Sequence, residues 1–488
     1  ENTGDVYGEG QGMFLCNGIN IFQGTVKLKT FNSKYFEGSM FEGEGDFYYA
    51  RKNLTLQDID FGEMVFATEY ERLLWINHCK GHVYPEREIS FPMIENATYF
   101  NEAPAEPQLN YFNYYDVGQM YQTTPELERT VIVPMLFLRY VLDKIFEHIG
   151  FVFDDSFFGA NADFNSLVLF NLVDCNGRAD GFFTYDLLHL FLNYHVPRMS
   201  INDFFLGLET FFNIRFFVNN STRKIKLKSV DIIVKETGHT EFSKQIVSIN
   251  TEAEEQVTGF SLKMSMDTDD PSWTEQKGFD DAFLKCVKPP VQSISDLPAW
   301  PSSKSMDMRL VKDEGMFYIL WYFNWIAHPL QSNIISSNAE VVYKVPDQSL
   351  ESSFSTLMNA TSGPDTGNCV VGNARENWEG VSPKLFFTVY DPTSSNIRMV
   401  GKNSIGSTNL FYNGTNGLFY KHYKAYFDFL MGAKFVKVTK QMTFMELKEF
   451  DFSRKYMING IKYLVKSIQV TLKKDRIMPA LLECYTCQ

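Results

Sequence analysis

Two Asn-Gly pairs, Asn17-Gly18 and Asn459-Gly460, each stand between two runs rich in apolar and β-branched residues. Asn-Gly readily takes the positive φ that a type I′ turn demands, and the twist of that turn matches the twist of paired strands. Each pair therefore predicts a hairpin. The first joins Met13 to Cys16 with Ile19 to Lys29, and the second joins Tyr456 to Ile458 with Ile461 to Leu472.

Short strands and turns continue from the first hairpin through Lys34 to Met40 and Asp46 to Ala50. Residues 101–125 are rich in Asn, Pro and Tyr without a period, and read as a long connection or an arm lying on a neighbour. Pro134 to His148 is the clearest helix. Leu138, Val141, Leu142, Ile145 and Ile149 form one apolar stripe, Pro134 suits a first turn and Gly150 a left-handed end. That stripe is expected to pack on strands around Leu167 to Val173. Ser200 caps a second helix, Ile201 to Phe212, and Asn213 can end it. A hairpin follows, Ile214 to Val218 and Lys224 to Val230, the latter with one wet face where basic and apolar residues alternate.

Residues 251–281 carry nine acidic and two basic residues, and read as an exposed strand followed by a loop. Met316 to Val400 reads as strands broken by Gly, Pro, Asn and Ser, with a long polar loop at 360–380. Towards the end come a helix at about Leu418 to Met431, a strand from Lys434 to Met442, the second hairpin, and a closing strand from Met478 to Tyr485. The fold class is α+β and β-rich: several β-barrel-like or sandwich domains with a few packed amphipathic helices. At 488 residues one core does not suffice, and four units are expected. They are an N-terminal β domain with an extended arm (1–130), a helix-plus-hairpin domain (131–235), a β-rich domain with long loops (236–410) and a C-terminal α+β domain (411–488).

Composition narrows the function. Aromatics reach 16%, with 45 Phe, which suits either a recognition surface or an AT-rich genome. The spread of Phe along the whole chain favours the second. A net charge of −14 argues against nucleic acid as the main partner, since phosphate binding needs a basic surface. Residues 421–476 nevertheless hold thirteen Lys+Arg against five Asp+Glu, or +8, leaving −22 on the remainder. Opposite charge on different parts of one chain suits contacts between copies or neighbours. Within that basic stretch Lys434 and Lys440 share a strand face and Lys437 points opposite, while Lys473, Lys474 and Arg476 cluster at a turn and are the candidate partner contact. Seven scattered cysteines do not describe a disulfide framework. The most apolar stretch, Met316 to Ala327, is too short to span a membrane, and no signal-peptide pattern opens the sequence at Glu1.

The chemical motifs are partial. Gly8, Gly10 and Gly12 lead into a strand, where a phosphate loop would lead into a helix. Asp267, Asp269 and Asp270 open like a calcium loop, but Ser272 and Gly278 stand where that loop needs Gly and Glu. His78, Cys79 and His82 have the spacing of a partial metal site without further ligands nearby, and Cys484 with Cys487 forms a lone CxxC. No GxSxG elbow occurs, and no pair stands out among 59 acids for glycoside hydrolysis. Trp321, Tyr322, Phe323 and Trp325 read as a buried strand, since alternate residues on a strand cannot form one flat sugar platform. No catalytic, cofactor or metal residue is therefore assigned, and a non-enzymatic role is expected. A glycan- or receptor-binding module and a polysaccharide-degrading enzyme are the rival readings.

Four blocks resemble hub-like baseplate proteins encoded in the tail modules of phages and prophages of Bacteroidota. They are Asn17-Gly18-Ile19 through Phe22-Gln23-Gly24; Pro134 to Leu138 leading to Ile145-Phe146 and Gly150-Phe151; Ser200 to Phe205, Phe211 to Asn213, Arg215 to Val218 and Lys224-Ile225; and Phe450-Asp451-Phe452 with Asn459-Gly460 and Tyr463 to Val465. The resemblance implies barrel-like domains around a tail axis, a ring-shaped homo-oligomer, here a trimer, and contacts to tail tube and central spike. It places the chain in the virion tail, assembled in the host cytoplasm. It supplies no active-site residues, and residues 231–410 carry no part of it.

Overall fold

The structure is a computed structural model. It describes residues 9–16, 19–31, 36–41, 44–95, 111–116, 119–120, 131–154, 156–171, 173–175, 188–219, 222–251, 257–265, 291–297, 308–311, 316–321, 324–331, 340–344, 346–356, 358–359, 369–370, 383–392, 398–473 and 476–487. The fold is β-rich α+β, built from several small sheets and a few packed helices.

Strands β1 (Glu9–Cys16) and β2 (Ile19–Phe31) form the expected hairpin, with Cys16 opposite Ile19, and β3 (Phe36–Phe41) pairs with β2. Residues Glu44–Arg51 then form helix α1, where the spacing over Asp46 to Ala50 predicts a strand. Tertiary packing decides this. The Phe47 ring is buried among Phe146, Phe151, Phe205 and Phe216, and the Arg51 guanidinium lies 4.1 Å over it from one helical turn away. A few alternating residues cannot outweigh that burial.

Strand β4 (Glu63–Val65) leads to α2 (Glu69–His78), whose first turn is capped by Thr68 accepting from the Glu71 amide at 3.1 Å. Of the described parts of the expected arm, 111–116 and 119–120, the first belongs to the chain's own core. Phe112 and Tyr115 are buried, and Asn113 Nδ2 donates to the Pro92 and Val133 carbonyls, each at 2.9 Å. Helix α3 (Leu138–His148) starts later than the proline signal indicates, because Met135–Leu136 pairs with Ile89–Ser90. Its stripe is buried as expected, Gly150 ends it at φ +76, and it packs on β6 (Leu167–Leu169) as well as on β5 (Val152–Asp154).

Strand β7 (His189–Phe191) pairs with β4. Helix α4 (Ile201–Phe212) has the expected cap, Ser200 Oγ accepting from the Asp203 amide at 3.0 Å, and the expected end, Asn213 at φ +50. Strands β8 (Ile214–Asn219) and β9 (Lys224–Ser229) follow as an antiparallel pair, with β5 parallel to β9. The aromatic faces of α3, α4 and β8 interlock: Phe205 lies 5.5 Å from Phe146 and 4.6 Å from Phe216.

Helix α5 (Val230–Lys235), β10 (Thr240–Glu241) and β11 (Ile246–Thr251) come next. Within 251–281, β12 (Gly259–Met264) is not an exposed strand. It lies between β13 (Glu340–Lys344) and β14 (Gln348–Ser352), with Phe260, Leu262 and Met264 buried. The apolar stretch at 316–331 is a hairpin, Met316–Trp321 against Asn324–Gln331, with Trp321 opposite Asn324. Tyr322, Phe323 and most of 360–380 lie outside the described residues. Strands β15 (Ser355–Thr356), β16 (Lys384–Asp391) and β17 (Arg398–Lys402) complete a sheet with β6.

After α6 (Lys424–Gly432) come β18 (Phe435–Lys440), β19 (Lys455–Ile458), β20 (Ile461–Gln469), β21 (Leu472–Lys473), β22 (Arg476–Ile477) and β23 (Ala480–Cys487). The Asn459-Gly460 turn has φ +50 and +79, the type I′ pattern. The largest sheet runs β10-β19-β20-β23-β18-β11. Both of its edges come from the one stretch 240–251, so Phe242 to Gln245 cross from edge to edge and the sheet curls around its own core of Phe242, Val438, Ile458, Val465 and Leu482. A second, larger core runs from Phe47 to Met431. Strand pairing thus crosses the expected unit boundaries: β6 joins β16, and residues 240–251 join the C-terminal sheet.

Candidate interaction surfaces

The basic turn singled out in the sequence is a small ribbon on the C-terminal sheet. Lys473 and Arg476 are cross-strand partners in β21 and β22, and Lys474 lies outside the described residues. The ribbon is anchored at its base, where Ile477 is buried, its carbonyl accepts from Gln441 Nε2 at 2.7 Å, and the Met478 amide donates to the Thr471 carbonyl at 2.9 Å.

Two of the remaining basic residues, Lys440 and Lys455, are turned inward. Lys440 is fully buried, pairs with Glu446 at 3.0 Å, lies 4.4 Å over the Phe242 ring and donates to the Lys244 carbonyl. Lys455 donates to the Val234 and Glu236 carbonyls at 2.6 and 2.7 Å, the acceptors left open at the C-terminal end of α5. Lys462 donates to the Thr237 carbonyl at 3.0 Å, and Lys424 pairs with Asp428 at 2.6 Å. Within β18 Lys440 sits on the core side and Lys437 on the other, 5.9 Å over Phe435, whereas Lys434, expected to share the face of Lys440, precedes the strand and is exposed. A long stem lets a lysine bury its methylenes while its ammonium finds carbonyl oxygens, so charge counted along a sequence overstates charge offered to a partner.

The partial metal motifs do not converge. The His78 and His82 rings are 5.5 Å apart and His82 Nδ1 lies 2.7 Å from Glu86 Oε2, but Cys79 faces the core, where burial pushes its thiol up to about 12. Cys484 and Cys487 sit three apart on β23 and so face opposite sides, Cys484 within the curled core. Gly10 and Gly12 are paired strand residues, opposite Val26 and Gly24. Gly8, Asp267, Asp269 and Asp270 lie outside the described residues. Among the described residues no group of three or more His, Cys, Asp or Glu could hold a metal ion, and no helix is long and apolar enough to cross a membrane.

Two surfaces escaped sequence reading. The first is the ribbon of β4 and β7. Its outward face carries Glu63, Val65 and Phe191, with Tyr194 6.1 Å from Phe191 at its end. Strands of three residues give too little alternation to read. The second is the edge of β11, which no other strand pairs among the described residues, visible only once the strand order is known. Comparison of the chain with protein-family models, curated proteins and solved structures found no match.

Proposed function

We propose that this chain is a structural subunit of a phage-tail baseplate, a hub-like protein whose copies form a ring linking the tail tube to the tip or spike in the virion tail. The observation that carries the reading is where two of the resembling blocks fall. The block at 134–151 and the block within 200–225 form one packed unit, in which Phe146 meets Phe205 at 5.5 Å and Phe216 at 6.0 Å. The other two blocks form hairpins at the two ends of the chain, and the second hairpin shares its sheet with β23, which follows the Lys473–Arg476 ribbon. The similarity therefore follows units of the fold instead of scattered surface residues. Such a subunit is expected to need neither cofactor nor nucleic acid, and its partners are further copies and other tail proteins. Native mass spectrometry with electron microscopy of the purified chain tests it. A ring of three copies is expected, and a preparation that never exceeds two copies overturns the ring.

The ribbon of β4 and β7 favours a second reading, in which the exposed Phe191 and Tyr194 rings stack on a host glycan. Oligosaccharide binding on a glycan array that is lost in Phe191→Ala, without any ring, would support it over the first.

A further inference from the structure

Three Asn-Gly pairs lie among the described residues, at 413–414, 416–417 and 459–460. An asparagine before glycine is open to attack by its own chain. The next amide nitrogen can reach the side-chain carbonyl carbon, and glycine has no Cβ to block the approach. The three pairs are held differently. At the first, the Gly414 amide donates to Asn413 Oδ1 at 2.8 Å. A C=O bond is about 1.23 Å long, so that nitrogen lies within about 4.0 Å of Asn413 Cγ. Asn413 and Gly414 are exposed, and nothing lies within 4 Å of where a Gly414 Cβ would stand. At the second, Gly417 is buried, its amide donates to the Gly414 carbonyl at 2.9 Å, and a Cβ on it would stand 2.2 Å from the Asn413 carbonyl oxygen. At the third, both residues sit in the left-handed region of a closed hairpin turn. There the Asn459 amide donates to Ser243 Oγ at 2.9 Å, and Ile458 pairs with Ile461 across the turn.

We propose that Asn413 is a site of spontaneous deamidation, favoured over the other two pairs because the fold holds its attacking nitrogen beside the carbon attacked. Once base has removed its proton, the Gly414 nitrogen attacks Asn413 Cγ. The new N–C bond closes a succinimide ring, and the side-chain nitrogen leaves as ammonia. Water then opens the ring. Opening at Cγ leaves an aspartate in an unaltered backbone. Opening at the backbone carbonyl leaves an isoaspartate, which adds a methylene to the main chain. Water is consumed, ammonia is released, and nothing is oxidised or reduced. Each reacted copy gains a negative charge on this turn. The two products are not equivalent in the fold. The Leu418 and Phe419 amides donate to the Phe411 and Tyr412 carbonyls at 2.8 and 3.1 Å, and Leu410, Tyr412 and Leu418 are fully buried. The turn is therefore closed between fixed ends. An aspartate keeps its length, whereas an isoaspartate lengthens it and must loosen those bonds. The inference does not rest on the tail reading, since the reaction needs only this turn.

Peptide mass spectrometry on the purified full chain, held at mildly alkaline pH and sampled over days, tests the assignment. Conversion at Asn413 is expected to run roughly tenfold ahead of conversion at Asn416 and Asn459, with aspartate and isoaspartate both present. In concentrated urea only the local sequence remains, so the rates at Asn413 and Asn459 should draw together. Asn413→Gln sets the carbonyl carbon a methylene further from the Gly414 nitrogen. It should abolish conversion at this position with an unchanged circular dichroism spectrum. Aged wild type should exchange the Leu418 and Phe419 amides faster than fresh wild type, and aged Asn413→Gln should not. An intact Asn413 while Asn459 converts, aspartate without isoaspartate, or a lead of Asn413 over Asn459 that persists undiminished in urea overturns the proposal.

Discussion

Gly207→Ala sets two effects of known sign against each other. Gly207 lies inside α4, where alanine is favoured over glycine by about 1 kcal/mol. A Cβ there would stand 2.5 Å from Phe354 Cδ2 and Cε2 and 2.5 Å from Ser353 Oγ. The serine could turn away, but Phe354 is fully buried, with Phe204 at 5.8 Å and Phe211 at 6.4 Å. Forcing a methyl group into a packed site costs about 1–3 kcal/mol, and an overlap this deep belongs at the upper end. The net expectation is a loss of about 1–2 kcal/mol, or roughly five- to thirty-fold less hydrogen-exchange protection for the α4 amides. Phe354→Leu, by opening the space, should make the same change at Gly207 neutral or favourable, so the pair is non-additive. An α4 better protected in Gly207→Ala than in wild type would refute the seating of this helix on Phe354.

Four further outcomes are expected. Lys455→Met leaves the Val234 and Glu236 carbonyls without their charged donor, and should cost about 2–3 kcal/mol, read as faster exchange across 236–245. Gly460→Ala meets open space but must hold φ +79, so a loss of about 1 kcal/mol in urea unfolding is expected from the backbone alone. Burial lowers His195 from 6.5 to about 3 and His422 from 6.5 to about 4, so both are neutral in the fold and the unfolded chain binds more protons below pH 6.5. Stability should accordingly be complete above that pH and fall by about 1.4 kcal/mol per pH unit per histidine as the pH drops; a urea midpoint unchanged between pH 7 and pH 5 would contradict this. Replacing Lys473, Lys474 and Arg476 together by Glu should slow assembly and increase its dependence on salt without unfolding the subunit, as light scattering across a salt series would show.

Local chemistry was legible wherever one residue type alone could satisfy the backbone. Asn459-Gly460 supplies two positive φ angles, Ser200 caps α4, and Asn213 ends it in the left-handed region. The stripe on α3 likewise reads directly, because its spacing is the helix period itself. These signals sit within a few residues of what they determine. Where the burial of one side chain depended on distant partners, sequence was silent or misleading. Glu44–Arg51 is helical because four phenylalanine rings from three other elements and from Phe151 surround Phe47. The strand at 259–264 is buried because residues some eighty positions later flank it on both sides. The basic C-terminal stretch looked like a surface for a partner, yet Lys440 and Lys455 are spent on carbonyls and a carboxylate of the chain itself. The edge position of β11 among the described strands is the same lesson in reverse. Nothing local marks Ile246–Thr251 as an edge; strand order alone does, and strand order is set by which apolar faces find each other across the whole chain.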